Sequence, residues 1–75
     1  MEADHLVTMV NQIAAFFAPY PEEEAIASTA THVVQFWDPR MRKAMNVHLD
    51  AGGAGLSPIA LAAMKRLREQ AKAKA

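Results

Sequence analysis

Three histidines are the residues of this chain best suited to bind a metal ion or to move a proton near neutral pH. His5, His32 and His48 are the only histidines, and the sequence contains no cysteine. A zinc site needs three or four converging ligands, and two ligands on one helix face lie three or four residues apart. No two of these histidines have that spacing, and no His-Glu-x-x-His pattern occurs. We therefore predict structural histidines and no metal site.

Neither the acidic residues nor the glycine-rich segment predicts a catalytic site. Glu22, Glu23 and Glu24 are consecutive, so their side chains point around a helix instead of converging. Residues 51–55 contain three glycines but lack the Lys-Ser/Thr ending of a phosphate-binding loop. A chain of 75 residues also has little room for a pocket that excludes water. We expect no catalysis by this chain alone, which argues against a stand-alone enzyme.

Aromatic and arginine side chains point instead to binding. Residues 36–42 read Phe-Trp-Asp-Pro-Arg-Met-Arg, and Phe16-Phe17 is a second adjacent aromatic pair. Adjacent residues of a helix point about 100° apart, so one ring of a pair can enter the core while the other faces a partner. Tryptophan and arginine also dominate the energetics of many protein interfaces. The predicted partner-binding residues are Phe16, Phe17, Tyr20, Phe36, Trp37, Arg40, Met41 and Arg42.

The elements that must position these residues are helices. Apolar residues recur at helical spacing from about Glu2 to Ala18, and again in segments that begin near Pro21, Pro39 and Pro58. Asp38-Pro39 and Ser57-Pro58 each combine an N-cap residue with a first-position proline. The sequence shows no strand pattern and no internal repeat. We predict an all-α fold, a small bundle of three to four short helices, with one domain over residues 1–68 and an Ala/Lys-rich tail over residues 69–75.

Charge is balanced over the whole chain but divided along it. The formal net charge is zero, which argues against a general nucleic-acid binder. Residues 1–38 contain six acids and no lysine or arginine, whereas residues 39–75 contain eight basic residues and two acids. The N-terminus lacks the basic region of a signal peptide, and no apolar run approaches the roughly 20 residues of a membrane span. We expect a cytoplasmic protein that binds neither nucleic acid nor membrane.

Three stretches of the sequence together resemble a known family. They are Met-Val-Asn-Gln-Ile-Ala-Ala-Phe-Phe at residues 9–17 followed by Tyr20-Pro21, the aromatic and arginine segment 36–42, and the glycine-rich loop that leads to Leu56-Ser57-Pro58. In this order and spacing they resemble the delta subunit of the soluble, NAD-dependent, molybdenum-containing formate dehydrogenases. The resemblance covers roughly residues 6–67, and the first two stretches are quite specific to that family.

The resemblance implies a small accessory polypeptide of a multi-subunit cytoplasmic enzyme that oxidises formate to carbon dioxide and reduces NAD. It implies an alpha subunit that holds bis-molybdopterin guanine dinucleotide and iron–sulfur clusters, with FMN and further clusters in the beta and gamma subunits. The delta subunit itself has no redox centre, and the lack of cysteine agrees with this because cysteine normally holds iron–sulfur clusters. The implied role is structural support or help with assembly, and no catalytic residues carry over.

Two hypotheses follow from the residues and the resemblance. In the first, exposed aromatic residues flanked by Arg40 and Arg42 dock on the catalytic alpha subunit. Basic residues at the start of a helix oppose its dipole, which suggests that these arginines have another use. The alternative is a small helix-turn-helix-like DNA-binding protein that uses its basic C-terminal helix. The residues that would then contact phosphates are Lys65, Arg66, Arg68, Lys72 and Lys74.

Overall fold

Four α-helices form the part of the chain that the structure describes. The computed structural model describes the backbone of residues 3–74 and the side chains of residues 3–71. The helices are α1 (Ala3–Phe17), α2 (Glu22–Phe36), α3 (Pro39–Asp50) and α4 (Pro58–Lys74). The predicted all-α bundle is therefore confirmed, and its number of helices is four. The Ala/Lys-rich segment that begins at residue 69 continues α4 as far as Lys74.

The helices begin where the predicted caps lie. Asp38 caps α3, since its Oδ1 accepts a hydrogen bond from the backbone N–H of Met41 at 3.0 Å. Ser57 caps α4 in the same way, with its Oγ 3.3 Å from the backbone nitrogen of Ala60. The second helix begins at Glu22, one residue after the predicted start, because Pro21 has an extended ψ of 144°. Each cap satisfies a backbone N–H group that has no partner within the helix.

The core lies where α1 and α4 meet, since each of these helices packs against all three others. Trp37, the residue that follows α2, places its side chain in the core and is 5% exposed. Small residues on α4 let it approach its neighbours closely, because alanine adds little bulk between helix axes. The main buried cluster consists of Leu6, Val10, Ala14, Val33, Trp37, Met45, Leu49, Ala60 and Met64. A smaller cluster between α2 and α4 consists of Ile26, Ala30 and Ala63.

The glycine-rich segment ends α3 in a Schellman motif. The N–H of Gly53 donates to the carbonyl oxygen of His48 at 2.9 Å, and the N–H of Gly52 donates to that of Leu49 at 3.0 Å. Gly53 is buried with a φ of +65°, and a Cβ built there would lie 3.1 Å from Cδ1 of Leu61. The positive φ of this position favours glycine, and a larger residue would also have to displace the end of the Leu61 side chain.

Asn11 of α1 forms two hydrogen bonds with the loop between α3 and α4. The Nδ2 group of Asn11 donates to the carbonyl oxygen of Gly55 at 2.8 Å, and its Oδ1 accepts from the N–H of Ser57 at 2.9 Å. The loop gains a further contact because Nε2 of His48 lies 2.8 Å from the carbonyl oxygen of Ala54. Both polar atoms of the Asn11 amide therefore form hydrogen bonds that position the start of α4.

Two ion pairs connect α4 to other helices, and the first of them joins the acidic and basic parts of the chain. Glu23 of α2 lies 2.7 Å from Arg66, and Asp50 of α3 lies 2.6 Å from Arg68. The carboxylate side chains are 76% and 75% exposed, so each pair contributes less than about 1 kcal/mol. Within residues 3–74, no helix combines the length and the hydropathy that crossing a membrane requires.

Candidate partner-binding site

A groove lined largely by aromatic and aliphatic side chains lies on the surface between α1 and α2. Its volume is about 500 Å³. Four of the predicted partner-binding residues meet here, two from each aromatic pair. We call this site the aromatic groove, and its lining residues are Met9, Gln12, Ile13, Phe16, Phe17, His32, Phe36 and Trp37.

The end of α2 sends two adjacent aromatic side chains to different environments. The N–H of Trp37 donates to the carbonyl oxygen of Val33 at 2.8 Å, which is the last hydrogen bond of the helix. Trp37 itself is extended, with φ −94° and ψ 137°, and its side chain is 5% exposed within the core. Phe36, the other ring of this pair, is 68% exposed. Trp37 fills the core at this end of the helix, and Phe36 therefore remains on the surface.

The end of α1 exposes a second ring in the same groove. Phe16 is 71% exposed, whereas Phe17 is half-buried. Their ring centroids lie 5.0 Å apart at an interplanar angle of 89°, which is the edge-to-face arrangement that aromatic pairs favour. Tyr20 is half-exposed, and its ring lies 6.1 Å from that of Phe17. The tyrosine therefore extends the aromatic surface beyond the groove.

Two polar side chains lie among the apolar ones. His32 stacks on Phe36, with ring centroids 4.5 Å apart and an interplanar angle of 29°. Gln12 is exposed on α1 and supplies an amide to the lining. A largely apolar groove with a few polar groups is typical of a surface that binds another polypeptide.

Four of the lining residues, Met9, Gln12, Ile13 and His32, are not among the predicted partner-binding residues. Met9 and Ile13 belong to the apolar residues that recur at helical spacing in the first segment, and both are half-buried. The fully buried face is instead that of Leu6, Val10 and Ala14, so Met9, Ile13 and Phe16 form the next face around the helix. His32 could have been found from its position four residues before Phe36, but nothing marked Gln12.

The comparison with protein families supplies the remaining observation. The family model of the NADH-dependent formate dehydrogenase delta subunit, FdsD, matches residues 5–64. The chain belongs to this family. The matched range includes the whole lining of the aromatic groove. No curated protein and no solved structure matches the chain. As a member of the delta-subunit family, it is a subunit of an NAD-dependent formate dehydrogenase, and partner subunits are thereby implied.

The predicted arginine and methionine residues of this family member lie away from the aromatic groove. Arg40 is exposed, and Met41 is half-buried against the core. Arg42 lies in a separate cleft of about 230 Å³ between α3 and α4. We call this the basic cleft, and its lining residues are Pro39, Arg42, Lys43, Asn46, Met64, Leu67, Arg68 and Ala71. The structure thus brings the aromatic residues together but places Arg42 elsewhere.

The other candidate groups have structural roles or are dispersed. Among the described residues, no three His, Asp or Glu side chains converge as metal ligands would. Of the residues that the DNA-binding alternative requires, Arg66 and Arg68 form ion pairs with acids of the same chain. The side chains of Lys72 and Lys74 lie outside the described residues.

Proposed function

We propose that this chain is a non-catalytic accessory subunit that docks on the catalytic alpha subunit of the formate dehydrogenase through the aromatic groove. The observation that supports the proposal is the exposure of Phe16 and Phe36, at 71% and 68%, in one apolar groove. Removal of apolar surface from water favours association. Two aromatic rings that are mainly exposed in the free chain therefore favour association.

The chemistry of the groove supports a binding role over a catalytic one. Its lining contains one base, His32, and one amide, Gln12, but no carboxylate, hydroxyl or thiol beside them. A catalytic site needs a base or nucleophile together with groups that stabilise the developing charge. We therefore assign formate oxidation and NAD reduction to the partner subunits. The alpha subunit is expected to carry bis-molybdopterin guanine dinucleotide and iron–sulfur clusters, and the beta and gamma subunits FMN and further clusters.

Complex recovery tests this assignment. The tagged chain is co-expressed with the alpha, beta and gamma subunits in the cytoplasm, and the double variant Phe16→Ser with Phe36→Ser is compared with the wild type. We expect the double variant to lose most of the recovered alpha subunit. Val47→Ser is the matched control, because Val47 is 65% exposed on α3 and lies outside both the aromatic groove and the basic cleft. Equal recovery of alpha with the double variant and the control would contradict docking through the groove.

The activity of the recovered partner subunits also distinguishes between two accessory roles. A resident subunit that stabilises the complex is recovered with partner subunits that reduce NAD with formate. A factor that assists assembly is recovered instead with inactive or cofactor-poor enzyme. The purified chain alone is expected to show no formate-dependent reduction of NAD.

A further inference from the structure

The basic cleft contains hydrogen-bond donors that the described residues do not satisfy. The Nε atoms of Arg42 and Arg68 are both buried, and neither has a hydrogen-bond partner among those residues. A buried donor without an acceptor is costly, and the cost is larger when the donor belongs to a charged group. Lys43 and Asn46 line the same cleft and add further N–H donors. Asn46 also offers its amide oxygen, but the donors of the two arginines and Lys43 outnumber this acceptor, so an acceptor from outside the chain fits the cleft.

The charge in and beside the cleft favours an anion. Arg42, Lys43 and Arg68 contribute three positive charges to the lining. Asp50 neutralises one of them through the 2.6 Å contact between its Oδ1 and Nη1 of Arg68. That contact uses one edge of the guanidinium group and leaves Nε without an acceptor. Asp38 also lies at the N-terminal end of α3, where its carboxylate is used to cap the helix.

The remaining lining indicates what kind of anion fits. Pro39, Leu67 and Ala71 supply apolar surface that is exposed or partly exposed, and a bare inorganic ion would leave this surface in water. An acidic side chain offers a carboxylate to the donors and methylene groups to the apolar residues. The planar guanidinium group also matches the two oxygens of a carboxylate. We propose that the basic cleft binds the carboxylate of an aspartate or glutamate side chain of the partner subunit. This inference rests on the proposed role as a docking subunit, but it concerns a surface separate from the aromatic groove.

The NMR resonances of the Nε–H groups measure binding in the cleft directly. Sodium butyrate is added to the full chain labelled with ¹⁵N, and sodium chloride at equal ionic strength is the reference. We expect the Nε–H resonances of Arg42 and Arg68 to shift in a saturable way with butyrate. The resonance of Arg40, which is exposed and outside the cleft, should not shift. A shift that does not saturate, or that is equal at Arg40, would overturn the inference.

Two variants distinguish specific binding of a carboxylate from general attraction by positive charge. Arg42→Lys keeps the positive charge but removes the guanidinium group, and we expect the affinity for butyrate to fall about tenfold. Arg40→Gln removes a positive charge outside the cleft and should leave the affinity unchanged. An equal response of the two variants to butyrate would show that the cleft is not specific for carboxylate.

Recovery of the complex is a second test of the carboxylate site. The double variant Arg42→Gln with Arg68→Gln should recover less alpha subunit than the wild type. Asp50→Asn is the control, because it removes the same ion pair as the change at Arg68 while leaving the donors of the cleft in place. If the Phe16 and Phe36 double variant loses the complex but the arginine double variant does not, docking through the groove stands and this inference fails. If the arginine variants alone lose the complex, the carboxylate site stands and docking through the groove fails.

Discussion

Phe36 and Trp37 are neighbours in sequence but have opposite roles in the molecule. Trp37 leaves the helix in an extended conformation and closes the core, whereas Phe36 stays on the helix and faces outward. The sequence predicted that adjacent rings diverge, because a helix turns about 100° per residue. It did not indicate which ring is buried, since that depends on where α2 ends relative to α1 and α4.

This division predicts different effects of two neighbouring substitutions. Trp37→Ala removes a buried ring and should lower the free energy of unfolding by about 3 to 5 kcal/mol. Phe36→Ser removes an exposed ring and should change it by less than about 0.5 kcal/mol. Urea unfolding of the full chain, followed by circular dichroism, measures both values. Similar losses of stability in the two variants would contradict the placement of these rings.

Asn11 provides a second prediction at the residue scale. Asn11→Ala removes both of its hydrogen bonds and leaves the partly buried N–H of Ser57 without its acceptor. We expect a loss of about 1 to 3 kcal/mol in the free energy of unfolding, measured in the same urea experiment. Asn11→Asp keeps the acceptor for Ser57 and should lose less. Equal losses in the two variants would contradict a stabilising role for the contact to Ser57 and show that the contact to Gly55 dominates.

At the scale of elements, the ends of the helices were the most predictable feature. Asp38-Pro39 and Ser57-Pro58 identified the starts of α3 and α4, because capping and proline preferences act locally. The buried face of α1 was less predictable. Two apolar faces lie side by side on that helix, and only packing against the other helices selects Leu6, Val10 and Ala14. The aromatic groove consequently includes residues that the spacing alone assigned to the core.

The cap of α3 gives a prediction at this scale. Asp38→Ala removes the acceptor for the N–H of Met41 and should cost about 1 kcal/mol. Asp38→Asn should restore most of this stability, since asparagine caps a helix about as well as aspartate does. Thermal unfolding of the two variants measures the difference. If asparagine were no better than alanine, the carboxylate charge, and not the hydrogen bond of the cap, would hold the helix start.

At the scale of the whole molecule, the fold redistributes the charge that the sequence divides. The first 38 residues lack lysine and arginine, yet Glu23 meets Arg66 of the basic half. The second pair, Asp50 with Arg68, occupies another basic residue of α4. The two surfaces that we propose for binding differ in chemistry. The aromatic groove is apolar and lies on the acidic half, whereas the basic cleft lies on the other half. The Asp38-Pro39 signal indicated the break between α2 and α3 but not the direction of the turn, so the separation of Arg42 from the aromatic residues was not predictable.

Site-specific photo-crosslinking tests the central claim most directly. A photoreactive phenylalanine analogue replaces Phe36 in one sample and Val47 in the control, and each is irradiated in the co-expressed formate dehydrogenase complex. Mass spectrometry then identifies the subunit that is attached. We predict that position 36 crosslinks to the alpha subunit and that position 47 does not. A crosslink from position 36 to another subunit alone, or equal crosslinking to alpha from both positions, would contradict docking of the aromatic groove on the catalytic subunit.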